Sequence, residues 1–182
     1  PQQIASLKSS LGYTSGPIPV EFLKFVENVF RGKFGVSIQY YPTPVLNVID
    51  QSIGWTILLF GAALIISFYL GNYLGLRSAF RRGSKEDSVL SAVSLFLYSF
   101  PYFWLALLFL FFFAIQFHIF PEAGAYNNIY PLYTPEFFAS SITHIILPLL
   151  TLVIASYGSW YLGMRNNAIV TINEDYLKYA EI

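Results

Sequence analysis

Three stretches of this chain, residues 53–76, 89–117 and 142–164, contain no Asp, Glu, Lys or Arg and are apolar almost throughout. About 20 such residues in helical form cross the roughly 30 Å hydrocarbon layer of a bilayer. Lipid offers no hydrogen-bond partners, so each stretch must satisfy its own backbone and is read as a helix. The expected fold is therefore an all-α integral membrane protein, a polytopic transmembrane helix bundle with three spans in these 182 residues. The middle stretch is too long for a straight crossing, since 29 residues at about 1.5 Å each reach roughly 43 Å. It must tilt, protrude or bend, and Pro101 supplies a reason to bend because proline lacks a backbone donor and crowds the preceding turn.

Composition agrees with a membrane chain. Charged residues make up 11% of the sequence, against about 25% in soluble domains. Ten basic and ten acidic residues cancel, and no Lys/Arg cluster with interleaved aromatics offers a nucleic-acid footprint. Cysteine is absent, which removes disulfides and thiolate metal sites. His118 and His144 alone make no convincing site. The chain starts at Pro1 without a signal peptide and stops inside an unfinished helical pattern, so it reads as a piece of a longer protein.

Residues 77–87, between the first two spans, hold four basic residues, and the exit of the third span holds Arg165 and Lys178. The loop at 118–141 holds none. The positive-inside rule then puts the 77–87 loop and the C-terminal tail in the cytoplasm, and residues 1–50 and the 118–141 loop outside. Lys8, Lys24, Arg31 and Lys33 weigh the other way, but long translocated segments follow the rule poorly. Within residues 1–50, Val20, Leu23, Val26 and Phe30 recur at helical spacing after Pro17 and Pro19, predicting a short amphipathic helix stopped at Arg31 and Gly32. Tyr40 to Pro44 reads as an extended stretch. It is followed by 45–50, which leads into the first span. This outer segment is read as a cap on the membrane face or as a contact for ligand. Tyr126, Tyr130 and Tyr133, among Pro121, Gly124, Pro131 and Pro135, read either as an ordered rim or lid or as an interfacial tyrosine belt.

The spans carry candidate surfaces for packing or for a pathway. Gly71 and Gly75 form a small-xxx-small pair that lets backbones approach, a pattern also frequent by chance. His144, Pro148, Thr151, Ala155 and Gly158 make a small, polar stripe on the third span. Ser91, Ser94, Tyr98 and Tyr102, beside Pro101, make a second stripe on the middle one. Such stripes line a water-filled route or bond helix to helix. An ionisable group in a span is a functional candidate, and for His144 three roles stand open: a neutral ring bonded to a neighbouring helix, proton coupling, and interfacial anchoring. The polar tail 173–182 is helix-compatible, with Asn173 able to cap and Glu174 and Asp175 suited to the positive helix end. It is a docking handle for a soluble partner or an ordinary juxtamembrane helix.

Several motifs follow one another in a known order: Pro17-Ile-Pro-Val-Glu-Phe-Leu, Asn28-Val-Phe-Arg-Gly-Lys-Phe-Gly-Val-Ser-Ile38, Arg81-Arg-Gly-Ser84 with Asp87, Ser99-Phe-Pro-Tyr-Phe-Trp104, Phe120-Pro-Glu-Ala-Gly124, His144-Ile-Ile-Leu-Pro-Leu-Leu-Thr-Leu152 and Glu174-Asp-Tyr-Leu-Lys-Tyr-Ala180. In that order they resemble the dipeptide/oligopeptide branch of ABC importer permeases, over nearly the whole chain. The resemblance implies a six-span subunit of a prokaryotic plasma membrane, of which residues 51–182 carry spans two to four and the start of a cytoplasmic coupling loop at 165–182. It implies a second permease subunit, cytoplasmic ATP-binding subunits, and an extracytoplasmic solute-binding protein. This chain would bind no cofactor and perform no chemistry, ATP and Mg being used by the partner subunits. The cargo would be peptide, oligosaccharide or nickel. It further implies that Glu174, Asp175, Tyr176, Tyr179, Ala180 and Glu181 belong to the coupling helix that sits in a cleft of the ATPase. Against the family's Glu-Ala-Ala pattern, Lys178, Tyr179 and Ala180 agree only at Ala180, and the family glycine would fall beyond Ile182. A passive channel or scaffold, and an intramembrane enzyme, are the competing classes. The first lacks charge rings or a carbonyl-filter sequence, and the second lacks paired intramembrane carboxylates and any Gly-x-Ser-x-Gly or His-Glu-x-x-His motif.

Overall fold

The computed structural model describes residues 16–127, 129 and 131–172. The described residues are helical apart from turns, loops and one isolated bridge. They divide into two compact units, Pro1–Thr56 and Ile57–Ile182.

In the first unit, α1 (Ile18–Phe30) forms where the amphipathic pattern predicts it. Pro17 opens it, its carbonyl accepting from Val20 and Glu21 at 2.9 and 3.1 Å. Gly32, at φ 71°, lets the chain turn out of the helix. Among the described residues none of its side chains is buried. The expected extended stretch at 40–44 is instead a turn. Ser37 Oγ accepts from the Tyr40 N–H at 3.1 Å, Thr43 N–H donates to Tyr40 O at 2.8 Å, and Ser37 N–H closes onto Thr43 O at 2.8 Å. The serine side chain offers the backbone a local partner that a proline count does not reveal.

Among the described residues two helices are long and apolar enough to cross a membrane, α2 (Val45–Phe80) and α5 (Pro135–Ile172), and a bent pair between them raises the number to three if it counts as one span. Both helices outrun the charge-free windows. α5 begins at Pro135 because Thr134 Oγ1 accepts from the Phe137 N–H at 3.3 Å, a cap followed by proline at the first helical position. The presence of Glu136 only narrows the apolar window; it suits the first turn of a helix.

The middle stretch is where expectation and structure differ most. α3 (Lys85–Ser99) meets the segment Tyr102–Gln116, which begins as α4 (Tyr102–Phe109), at 95°. Phe100 and Pro101 both take extended conformations, ψ 128° and 122°. Proline drives the residue before it out of the helical region, so the predicted bend is a full corner. Beyond Phe109 the helix widens into a π-helix, Leu110–Gln116, with Phe117 N–H donating to Phe112 O at 2.9 Å. It closes when the Ile119 and Phe120 N–H groups both reach Phe113 O, around His118 at φ 53°.

The turn between α2 and α3 is short. Gly83, at φ 81°, makes it possible, and Ser84 Oγ caps α3 by accepting from the Asp87 N–H at 3.1 Å. Ser84→Ala is expected to lower stability by about 1 kcal/mol, the usual worth of an N-cap, read from the unfolding midpoint. Ser84→Asp, which keeps an acceptor, should retain most of it.

Candidate functional site

A buried polar hub joins three helices where α2 ends, α3 begins and α5 approaches its end. The Asp87 carboxylate, 6% exposed, takes Arg165 Nε and Nη2 at 2.7 and 2.9 Å in a two-pronged pair. Ser78 Oγ donates to it at 2.5 Å, the Gly83 N–H at 3.0 Å and Ser91 Oγ at 3.4 Å. The Tyr161 hydroxyl, fully buried, bonds Ser78 at 2.6 Å and Ser91 at 3.0 Å. One turn along α3, Ser94 Oγ donates to Tyr157 OH at 3.2 Å. Beside the hub, Arg77 and Arg81 both grip Glu86 in the open, where water and salt weaken such pairs. Arg165 and Asp87 enter the sequence reading only as an orientation signal and part of a motif. What could have flagged them is opposite charge at the same-side ends of two spans.

Small residues bring the helices close enough to build this hub. A Cβ placed on Gly71 would lie 2.5 Å from Trp160 Cβ and 2.7 Å from Tyr157 O, and one on Gly75 would lie 2.5 Å from Tyr161 O. The Gly71/Gly75 pair is therefore a packing surface of α2 against α5. Gly158 does the same between α5 and α3, where a Cβ would meet Ser94 O at 2.8 Å and Tyr98 Cβ at 3.2 Å.

The two polar stripes separate by role. Ser91 and Ser94 bond helix to helix. Tyr98 and Tyr102 expose their side chains, and Pro101 forms the corner. On α5, His144, Pro148 and Thr151 come together on one wall of a cleft of about 260 Å³, faced by Ala106 and Leu110 from α4 and the π-helix and by Pro121 to Gly124 of the following loop. Gly158 lies instead in the α3 contact. The Nδ1–H of His144 donates to Ser140 O, 2.7 Å away on its own helix, since a carbonyl can only accept. Its Nδ1 partner is thus not a neighbouring helix. Pro148 withholds the N–H that the His144 carbonyl would otherwise receive, and Thr151 returns its hydroxyl to Leu147 O at 2.9 Å. In the loop before α5, Tyr126 and Tyr133 pack their rings on Phe137 at 4.8 and 6.0 Å, and the Asn127 N–H donates to Ser140 Oγ at 2.8 Å. Tyr130 and the tail residues Glu174, Asp175, Tyr176, Tyr179, Ala180 and Glu181 lie outside the described residues. Among the described residues no three His, Cys, Asp or Glu side chains gather where a metal could sit.

The hub, the corner and the cleft all fall within residues 71–182, which match the model of the binding-protein-dependent transport system inner membrane component. The chain belongs to that family. It is 32% identical over 179 residues to a probable peptide ABC transporter permease of Sinorhizobium fredii, covering 98% of this chain and 55% of the relative. It is 29% identical over 164 residues to an oligopeptide transport system permease of Bacillus subtilis, covering 90% and 51%. A metal-staphylopine import system permease of Staphylococcus aureus is 25% identical over 181 residues, covering 98% and 52%. The chain spans about half the length of the curated relatives it matches. As a member of this inner-membrane family it is an all-helical, multi-pass membrane protein, and the resemblance carried by the ordered motifs holds.

Proposed function

We propose that the chain is part of the permease subunit of an ABC importer, lining a route for peptides or a related solute and coupling it to ATP hydrolysis elsewhere by alternating access. The family match over residues 71–182 carries this reading. Relatives named for peptide transport and for metal-staphylopine import both support a path for peptides or a related solute. In this reading the partners are a second permease subunit, ATP-binding subunits that use ATP and Mg, and a solute-binding protein outside. A bistable bundle of this kind moves solute only if nucleotide and receptor bias its two states differently. The tail supplies the contact: Tyr176, Tyr179 and Ala180, flanked by Glu174, Asp175 and Glu181, dock into the ATPase subunit. The cleft at His144, Pro148 and Thr151 is a candidate stretch of the route.

The test is co-purification of the full-length protein with its ATP-binding subunits, followed by uptake into vesicles. Uptake should need ATP, and charged residues at Tyr176 and Ala180 should lower it by about tenfold, within the usual span of coupling between sites. Uptake that runs equally well without ATP would instead support a passive channel.

A further inference from the structure

The geometry points to Asp87 and Arg165 as a latch. Together they make the turn at 81–84, the first turns of α3 and the end of α5 one rigid body, so that a displacement entering from the tail side of α5 is delivered to the Pro101 corner. This deepens the permease reading and rests on it for the direction of force, though not for the rigidity.

Two oxygens of Asp87 collect five donors from four places: two from Arg165 on α5, and one each from Ser78 on α2, Gly83 in the turn and Ser91 on α3. A side chain so placed ties the four together, and withdrawing Arg165 would strand a buried charge. The neighbouring residue shows the contrast. Glu86 also binds two arginines, but both Arg77 and Arg81 leave or enter the same exposed turn, and neither reaches α5. A bidentate arginine fork is also directional, since lysine can supply the charge but not the two parallel bonds. The latch closes the loop mechanically: α3 runs from it to a 95° corner, and α4 beyond the corner forms part of the cleft wall. A movement of α5 at Arg165 therefore has a stiff path to α4 that does not depend on the long apolar contacts between helices. Asp87 and Arg165 are positioning residues here, acting through α3 on whatever occupies the cleft.

The experiment uses the full-length protein assembled with its ATP-binding subunits and receptor in phospholipid vesicles. Spin labels go on cysteines at Ser88 on α3 and Asn166 on α5, both exposed, in the parent and in Asp87→Asn and Arg165→Lys. The parent should give one narrow distance distribution, unmoved by nucleotide, and both variants a broadened one. Both should keep ATP hydrolysis while moving about fivefold less solute per ATP, the lower end of measured coupling between sites. Ser91→Ala, which removes the 3.4 Å bond to Asp87 and the 3.0 Å bond to Tyr161 but leaves the Arg165 fork intact, should match the parent in both. The latch is overturned if the variants keep the narrow distribution, or if hydrolysis and uptake fall in proportion, as in a merely weakened fold. Absence of ATP-driven uptake in the parent would refute the permease reading instead, and the label distances in the same vesicles would still decide whether the body is rigid.

Discussion

Arg165→Met is expected to cost the folded chain about 3 to 5 kcal/mol, the range for removing one partner of a buried ion pair. Asp87 would keep its serine and backbone donors, so the lower end of that range applies. The remaining carboxylate would still be buried at the junction of three helices with its compensating charge gone. Equilibrium unfolding in mixed micelles reads the effect. The double variant Asp87→Leu with Arg165→Met should recover most of the loss, because the desolvation cost disappears with the charges. A loss below about 1 kcal/mol for Arg165→Met, the level of solvent-exposed pairs, would mean that water reaches Asp87.

Gly75→Ala is expected to be almost as damaging although it adds one methyl group. The new Cβ would sit 2.5 Å from Tyr161 O and 3.1 Å from both Arg165 N and Met164 Cβ. None of these atoms is the end of a flexible side chain, so α2 must withdraw from α5. The withdrawal takes Ser78 away from Tyr161 and Asp87, adding unsatisfied polar groups to the overpacking cost of about 1 to 3 kcal/mol. Gly61→Ala is the matched comparison: nothing lies within 4 Å of its added Cβ, and removing a glycine from a helix should stabilise by up to about 1 kcal/mol. If the two substitutions shift the unfolding midpoint alike, close approach at Gly75 is not what holds the helices.

The long helices were legible because absence of charge over twenty residues has one meaning in lipid, and that signal needs no partner. Their ends were less legible, since Thr134 and Glu136 form a good helix start that a hydropathy window treats as loop. The corner was half legible. Pro101 marks its place, but the angle depends on Phe100 also leaving the helical region, and the π-helical turns after Phe109 arise in a run of Phe and Leu without periodicity. In the candidate site, the serines of α3 and the stripe on α5 were visible as small polar residues at helical spacing. Which of them would bond to a neighbour and which would face a cleft was not, because that depends on how far each helix rotates. The Asp87–Arg165 pair joins residues 78 positions apart, and no local pattern announces such a contact.

The corner at Phe100 and Pro101 also fixes where this stretch of chain can sit in depth. A helix end leaves up to four carbonyls and a helix start up to four N–H groups without intrahelical partners, and only some find substitutes here, as Leu97 O does in the Phe100 N–H and the Trp104 N–H does in Pro101 O. Bare acyl chains cannot solvate the rest. The corner therefore belongs in contact with other protein or with a pocket of water, and it acts as a hydration mark partway along an otherwise oily segment.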